Sequence, residues 1–125
     1  MVPVRIDKGE FADGVEKRLK AFMLRCVQVF RSLPPSFEAQ HFGKQLLRCA
    51  SSSAANYRAV RRARSQNEFF AKISIVVEEL DEALFWLETL IETTIIPETR
   101  LSDLIDEGTQ LLRLLAKSRN KAKNA

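Results

Sequence analysis

The sequence is poor in the residues that break or staple a chain. Of 125 residues, four are glycine and four proline, too few for a β-rich fold built on many tight turns. It has two cysteines, Cys26 and Cys49, which form no CxxC pair, and one histidine, His41. A structural zinc site draws four such ligands, so none is expected. Both cysteines fall on apolar helical positions, where a free thiol acts as a small core hydrophobe. The longest unbroken apolar run, Ala83 to Leu87, is far shorter than the roughly 20 residues that span a bilayer. The opening, Met1-Val2-Pro3-Val4-Arg5, lacks an apolar stretch of signal-peptide length. A cytoplasmic protein with no membrane partner is the expectation. Catalytic signatures are equally sparse. The one E-x-x-H pair, Glu38 and His41, has no second copy, whereas di-iron bundles use two. No glycine-rich phosphate loop and no nucleophile elbow occur. No metal, no cofactor and no enzyme activity are expected.

What remains is ordinary globular material, 46% apolar and 29% charged, with a net charge of +4. At 14.3 kDa it fits one domain over residues 1–125 with a core of its own. Pro34-Pro35, the Ser65-Gln66-Asn67-Glu68 run and Pro97 divide it into four segments, each with helical periodicity.

The spacing predicts helices over about 13–33, 36–63, 66–93 and 98–117, followed by a frayed basic tail over 118–125. In the first, Asp13 is the expected cap, and Val15, Leu19, Phe22, Cys26, Val29 and Leu33 form a bundle seam. In the second the seam passes through Leu46, Cys49, Ser53, Asn56 or Tyr57, and Val60, in a stretch of small side chains, Ala50 to Ala55, that lets a neighbour approach closely. Asn56 is expected to bond across helices and Tyr57 to sit ring-inward. Ser65 and Glu68 make a capping box for the third. That helix carries two seams, one through Phe69, Ile73, Val76, Leu80, Ala83, Leu87 and Leu90, the other through Phe70, Val77, Leu84 and Ile91. A face that wide is buried on two sides, and the second side is expected to meet another subunit through Phe70, Val77, Leu84, Phe85, Trp86 and Ile91. The fourth helix has a broad face of Leu101, Leu104, Ile105, Leu111, Leu112, Leu114 and Leu115. Together these predict an all-α, antiparallel up-and-down four-helix bundle.

Charge is unevenly placed. From Lys44 to Arg64 the chain holds Lys44, Arg48, Arg58, Arg61, Arg62 and Arg64 and no acid. Guanidinium forks suit phosphate, so this cluster, with Arg119, Lys121 and Lys123 of the tail, is the candidate nucleic-acid surface. The rival reading pairs these arginines with the acidic third helix, which has Glu68, Glu78, Glu79, Asp81, Glu82, Glu88 and Glu92 against Lys72 alone. The chain is then a protein-interaction scaffold.

The stretches Asn56-Tyr57-Arg58-Ala59, Arg62-Ala63-Arg64-Ser65 and Asp81-Glu82-Ala83-Leu84-Phe85-Trp86-Leu87-Glu88 resemble the bacterial 23S rRNA intervening-sequence protein family, also called four-helix-bundle proteins. The central third of the chain carries the resemblance closely; the outer helices share pattern and spacing. It implies a four-helix bundle assembled as a homopentamer. A similar fold serves the accessory variability protein of diversity-generating retroelements, which partners a reverse transcriptase and binds nucleic acid. Nucleic acid, RNA ahead of DNA, is the partner so implied, with a protein partner beside it. One branch of the family has Asn-Ile-Ala-Glu-Gly where this chain has Asn56-Tyr57-Arg58-Ala59-Val60. Its acidic position is Ala59 here, so no carboxylate role carries over.

Overall fold

The computed structural model describes residues 8–123. Four helices follow in order, α1 (Lys8–Arg31), α2 (Phe37–Arg61), α3 (Gln66–Glu92) and α4 (Glu98–Lys123). Each packs on the next, and α4 returns to α1, with α2 on α3 the most extensive contact and α1 on α4 the slightest. The predicted up-and-down bundle is present, with no strand among the described residues.

The seams lie where the spacing put them. Val15, Leu19, Phe22 and Cys26 of α1, Leu46, Cys49, Ser53, Tyr57 and Val60 of α2, and Ile73, Val76, Leu80, Ala83, Leu87 and Leu90 of α3 are buried. Ser53 satisfies its buried hydroxyl by donating to Ala50 O at 2.8 Å. Two glycines mark where helices come too close for a side chain. A Cβ on Gly43 would lie 2.5 Å from Leu33 Cδ1, and one on Gly108 2.7 Å from both Leu84 Cδ2 and Phe22 Cε2.

Four expectations need correction. Helix α1 is already formed at Lys8, so Asp13 lies inside it and caps nothing. Its carboxylate instead meets Arg61 at 2.7 Å. Helix α4 continues to Lys123 rather than fraying after Lys117. Leu115 anchors its last third in the core, Ser118 Oγ donates back to Leu114 O at 3.1 Å, and Gln66 Nε2 donates to Ala122 O at 3.0 Å, closing an end carbonyl. Its terminal lysines also favour the negative end of the helix dipole. The last two positions of the expected tail, 124–125, lie outside the described residues. Thirdly, Val77 and Leu84, expected at a subunit interface, are buried in this chain's own core, because Gly108 lets α4 close onto that side of α3. Finally, Asn56 is only half-buried and donates to Ser52 O at 2.9 Å and Ser52 Oγ at 3.0 Å within its own helix, not across to another.

The α3–α4 connection ends α3 in a Schellman arrangement: Thr94 N donates to Ile91 O and Ile95 N to Leu90 O. Thr94 occupies the left-handed position at φ 58°, a strained place for a β-branched residue. Thr94→Gly relieves that strain, partly offset by the extra freedom of glycine in the unfolded chain. The expected result is a gain of about 0.5–1 kcal/mol, seen as a thermal midpoint raised by roughly 2–4 °C. An unchanged or lower midpoint would contradict it.

Candidate nucleic-acid interface

Helix geometry sorts the basic cluster into groups that are occupied and groups that are free. Arg48 Nη2 meets Glu82 Oε2 at 2.6 Å and Arg48 Nη1 meets Glu79 Oε2 at 3.3 Å, tying α2 to α3. Arg61 Nη1 meets Asp13 Oδ1 at 2.7 Å and Glu16 Oε1 at 3.4 Å, tying α2 to α1. The hydrogen bond it donates to Asp13 is the main reason that the Arg61 guanidinium is held above its ordinary pKa. Arg64 reaches Glu68 one turn on at 3.7 Å. Lys44, Arg58 and Arg62 make no ion pair with any described residue. They lie with Arg48, Ser51 and Ala55 on the exposed ridge of α2, at steps of three and four. Arg61 adjoins Arg62 in sequence but is turned about 100° around the helix, toward α1.

Lys17 and Lys20 of α1, outside the expected set, face this ridge. With Arg58, Ser51, Ala54 and Ala55 they line a groove of about 570 Å³ between α1 and α2. The signal for them was present: antiparallel pairing of the first two seams sets Lys17 and Lys20 opposite the small-residue stretch of α2. Arg18, also outside the expected set, has a structural role. Its Nε and Nη2 donate to Glu107 Oε2 and Oε1 at 3.0 and 2.7 Å, and this bidentate bond holds the Glu107 carboxyl below the usual range.

The second basic group ends up beside the Arg58–Arg64 part of the first, while Lys44 lies toward the other end of α2. Because Gln66 binds Ala122 O, the C-terminal turns of α4 lie against the start of α3, next to the connection that carries Arg62 and Arg64. Lys117, Lys121 and Lys123 are exposed there and Arg119 is half-buried. No acid follows Glu107 in the sequence. The acids near this end are those of α1 and Glu68.

The opposite end is aromatic and acidic. Phe37, 89% exposed, stacks on His41 with ring planes 4° apart and centroids 6.4 Å apart. His41, Phe42 and Phe85 all meet Trp86. Glu82 Oε2 accepts from Cys49 Sγ at 2.9 Å and Trp86 Nε1 at 3.2 Å as well as from Arg48. The bonds from Cys49 and Trp86, more than Arg48, lower the Glu82 pKa. Burial, reinforced by that carboxylate, pushes the Cys49 thiol up to about 12, and burial alone does the same for Cys26. Of the expected subunit-interface set, Phe85 is exposed, Phe70, Trp86 and Ile91 are half-buried, and Val77 and Leu84 are internal. Phe37, the most exposed large apolar residue here, was missed; the aromatic step from Phe37 to His41 was its signal.

Among the described residues no three His, Cys, Asp or Glu side chains gather as a metal set, and no helix is long and apolar enough to cross a membrane.

No curated protein matches the chain. Among solved structures, it resembles a protein of unknown function from the S23 ribosomal protein family of Bacteroides thetaiotaomicron, with 28% identity and a TM-score of 0.80 over 87% of this chain and 97% of that one. The family described as 23S rRNA-intervening sequence protein matches residues 14–117, from the first turns of α1 to late in α4. With four helices in the same arrangement and a match over most of its length, the chain belongs to the 23S rRNA-intervening sequence protein family.

Proposed function

We propose that the chain is a non-enzymatic, cytoplasmic four-helix bundle that associates with nucleic acid, RNA ahead of DNA, as a homo-oligomer. The observation that carries the reading is the Gln66–Ala122 hydrogen bond at 3.0 Å. It holds the basic turns of α4 beside the free arginines at the end of α2, so two clusters far apart in sequence form one cationic end. Phosphate contact there is electrostatic and carries little sequence readout. The assembly we propose is the homopentamer implied by the family resemblance, in which five copies of a weak patch act by avidity. The exposed Phe37 and Phe85 support self-association, since a contiguous aromatic patch on a lone subunit is costly to leave in water.

A second reading, a protein-interaction scaffold, draws on the capture of Arg48 and Arg61 by carboxylates. The test is fluorescence anisotropy against a labelled structured RNA and a duplex DNA of equal length, from about 50 to 200 mM salt. We expect tighter binding to the RNA, with log affinity falling linearly in log salt by about 0.7–0.9 per phosphate neutralised. No binding at the lowest salt overturns the nucleic-acid reading in favour of the scaffold.

A further inference from the structure

The cationic end also contains a groove walled mainly by apolar side chains. Helices α1 and α4 make the slightest contact in the bundle. They are joined where Arg18 meets Glu107 and Phe22 meets Gly108, and from there toward the start of α1 they part. The opening is about 860 Å³, within the range of pre-formed ligand sites, roughly 300–1,000 Å³. Phe11 of α1 and Phe69 of α3 line it from diagonal helices, together with Leu114 and the exposed Lys117 and Lys121 of α4.

Tyr57 of α2 lines the same groove. Only 5% of this residue is exposed, yet its hydroxyl makes no hydrogen bond to any described residue. No enclosed side-chain oxygen or nitrogen lacks a partner among the described residues, so the hydroxyl opens onto the groove rather than being sealed in the core. A phenol there can donate one hydrogen bond and accept another.

These features select among anionic ligands. An acyl carboxylate would suit the lysines and the apolar walls, but its methyl end would cover the Tyr57 hydroxyl and leave it desolvated without a partner, which is unfavourable. A nucleobase has apolar faces for two phenyl rings and a polar edge for the hydroxyl. Its strand continues in phosphates on either side, and Lys117 and Lys121, one helical turn apart on the same face, are spaced to meet them.

We propose that this groove takes one unpaired nucleobase of a bound RNA, its faces against Phe11 and Phe69, its edge on the Tyr57 hydroxyl and its flanking phosphates on Lys117 and Lys121. The inference rests on the nucleic-acid reading above and sharpens it. The protein then prefers RNA that offers an unstacked nucleotide, because a base inside a duplex cannot enter the groove without being extruded at a cost.

The test uses the full chain and three labelled RNAs at about 100 mM salt: a perfect 16-base-pair duplex, the same duplex with one bulged nucleotide, and one of its single strands. Aromatic stacking on a single base justifies an expected preference of about tenfold for the bulged over the perfect duplex. Tyr57→Phe keeps the ring and the packing but removes the hydroxyl; Phe11→Ala removes one wall at an exposed site. Each is expected to bring the bulged duplex down toward the affinity of the perfect one, with circular dichroism confirming that both variants remain helical. Equal affinity of the unmodified protein for both duplexes overturns the groove proposal and leaves the electrostatic reading standing. So does a bulge preference that survives both substitutions. Failure to bind any of the three RNAs removes both.

Discussion

Phe22→Ala is expected to destabilise the bundle by about 3–5 kcal/mol, a large part of the 5–15 kcal/mol that holds a typical domain together. Phe22 is the largest fully buried side chain and lies on α1 with its ring tip over Gly108 of α4, at the thinnest seam of the bundle. Truncation removes the apolar transfer gain and leaves a cavity that close-packed helices cannot collapse to fill. Gly108 provides the sharper version. Alanine should favour the helix by about 1 kcal/mol over glycine. A Cβ there, however, would lie 2.7 Å from Phe22 Cε2 and from Leu84 Cδ2, so both side chains must shift within the core. Overpacking costs about 1–3 kcal/mol, so Gly108→Ala is expected to be net destabilising. Shortening the ring by Phe22→Leu makes room for the new methyl. The double variant should then be about 1 kcal/mol more stable than the sum of the two single effects. Urea unfolding at one fixed protein concentration measures all three, since self-association adds stability by mass action. Additivity within experimental error would mean that Gly108 is not there for the sake of Phe22.

That seam also shows what could be read in the sequence and what could not. The α1 seam from Val15 to Cys26 and the Ser65 cap are local patterns, fixed by spacing and by one hydrogen bond of 3.1 Å from Glu68 N to Ser65 Oγ. Partner identity is not local. Val77 and Leu84 were legible as a second apolar stripe on α3, but nothing short of the packed bundle says that α4 rather than another subunit covers it. Asp13 had the residue type and spacing of a cap; Arg61, forty-eight positions on, claims its carboxylate instead. The end of α4 has the composition of a solvated tail, and only the contacts of Leu115 and Gln66 make it a helix. Similarly, the basic cluster was visible as a run of charge, while its division into paired and free groups follows from the rotation of α2 against its neighbours. The groove at Tyr57 had no signal of its own, because it arises from two helices parting.

The division of the arginines carries the other large expected effect. Arg58→Glu with Arg62→Glu reverses two cations that no carboxylate among the described residues neutralises. RNA affinity at about 100 mM salt is expected to fall roughly 10–100-fold, and the slope of log affinity against log salt to flatten by about two. Stability should fall by about 1 kcal/mol, because both sites are exposed and unpaired but sit at the C-terminal end of α2, where acids oppose the helix dipole. Arg48→Gln is the contrasting change. Its guanidinium already bridges Glu79 and Glu82, so a phosphate could recruit it only by breaking those contacts. Its loss should leave affinity within about threefold, the effect of a screened and already neutralised charge, while releasing Glu82 to rely on Cys49 and Trp86. Trp86 is the sole tryptophan, so its emission reports that release directly, separately from binding. Anisotropy and tryptophan emission on the same two variants therefore cross over if the reading is right: one loses affinity with unchanged emission, the other changes emission with little loss of affinity. Should the Arg58/Arg62 reversal leave affinity intact but break the oligomer in light scattering, the free arginines serve contacts between subunits, and the cationic end belongs to assembly rather than to RNA.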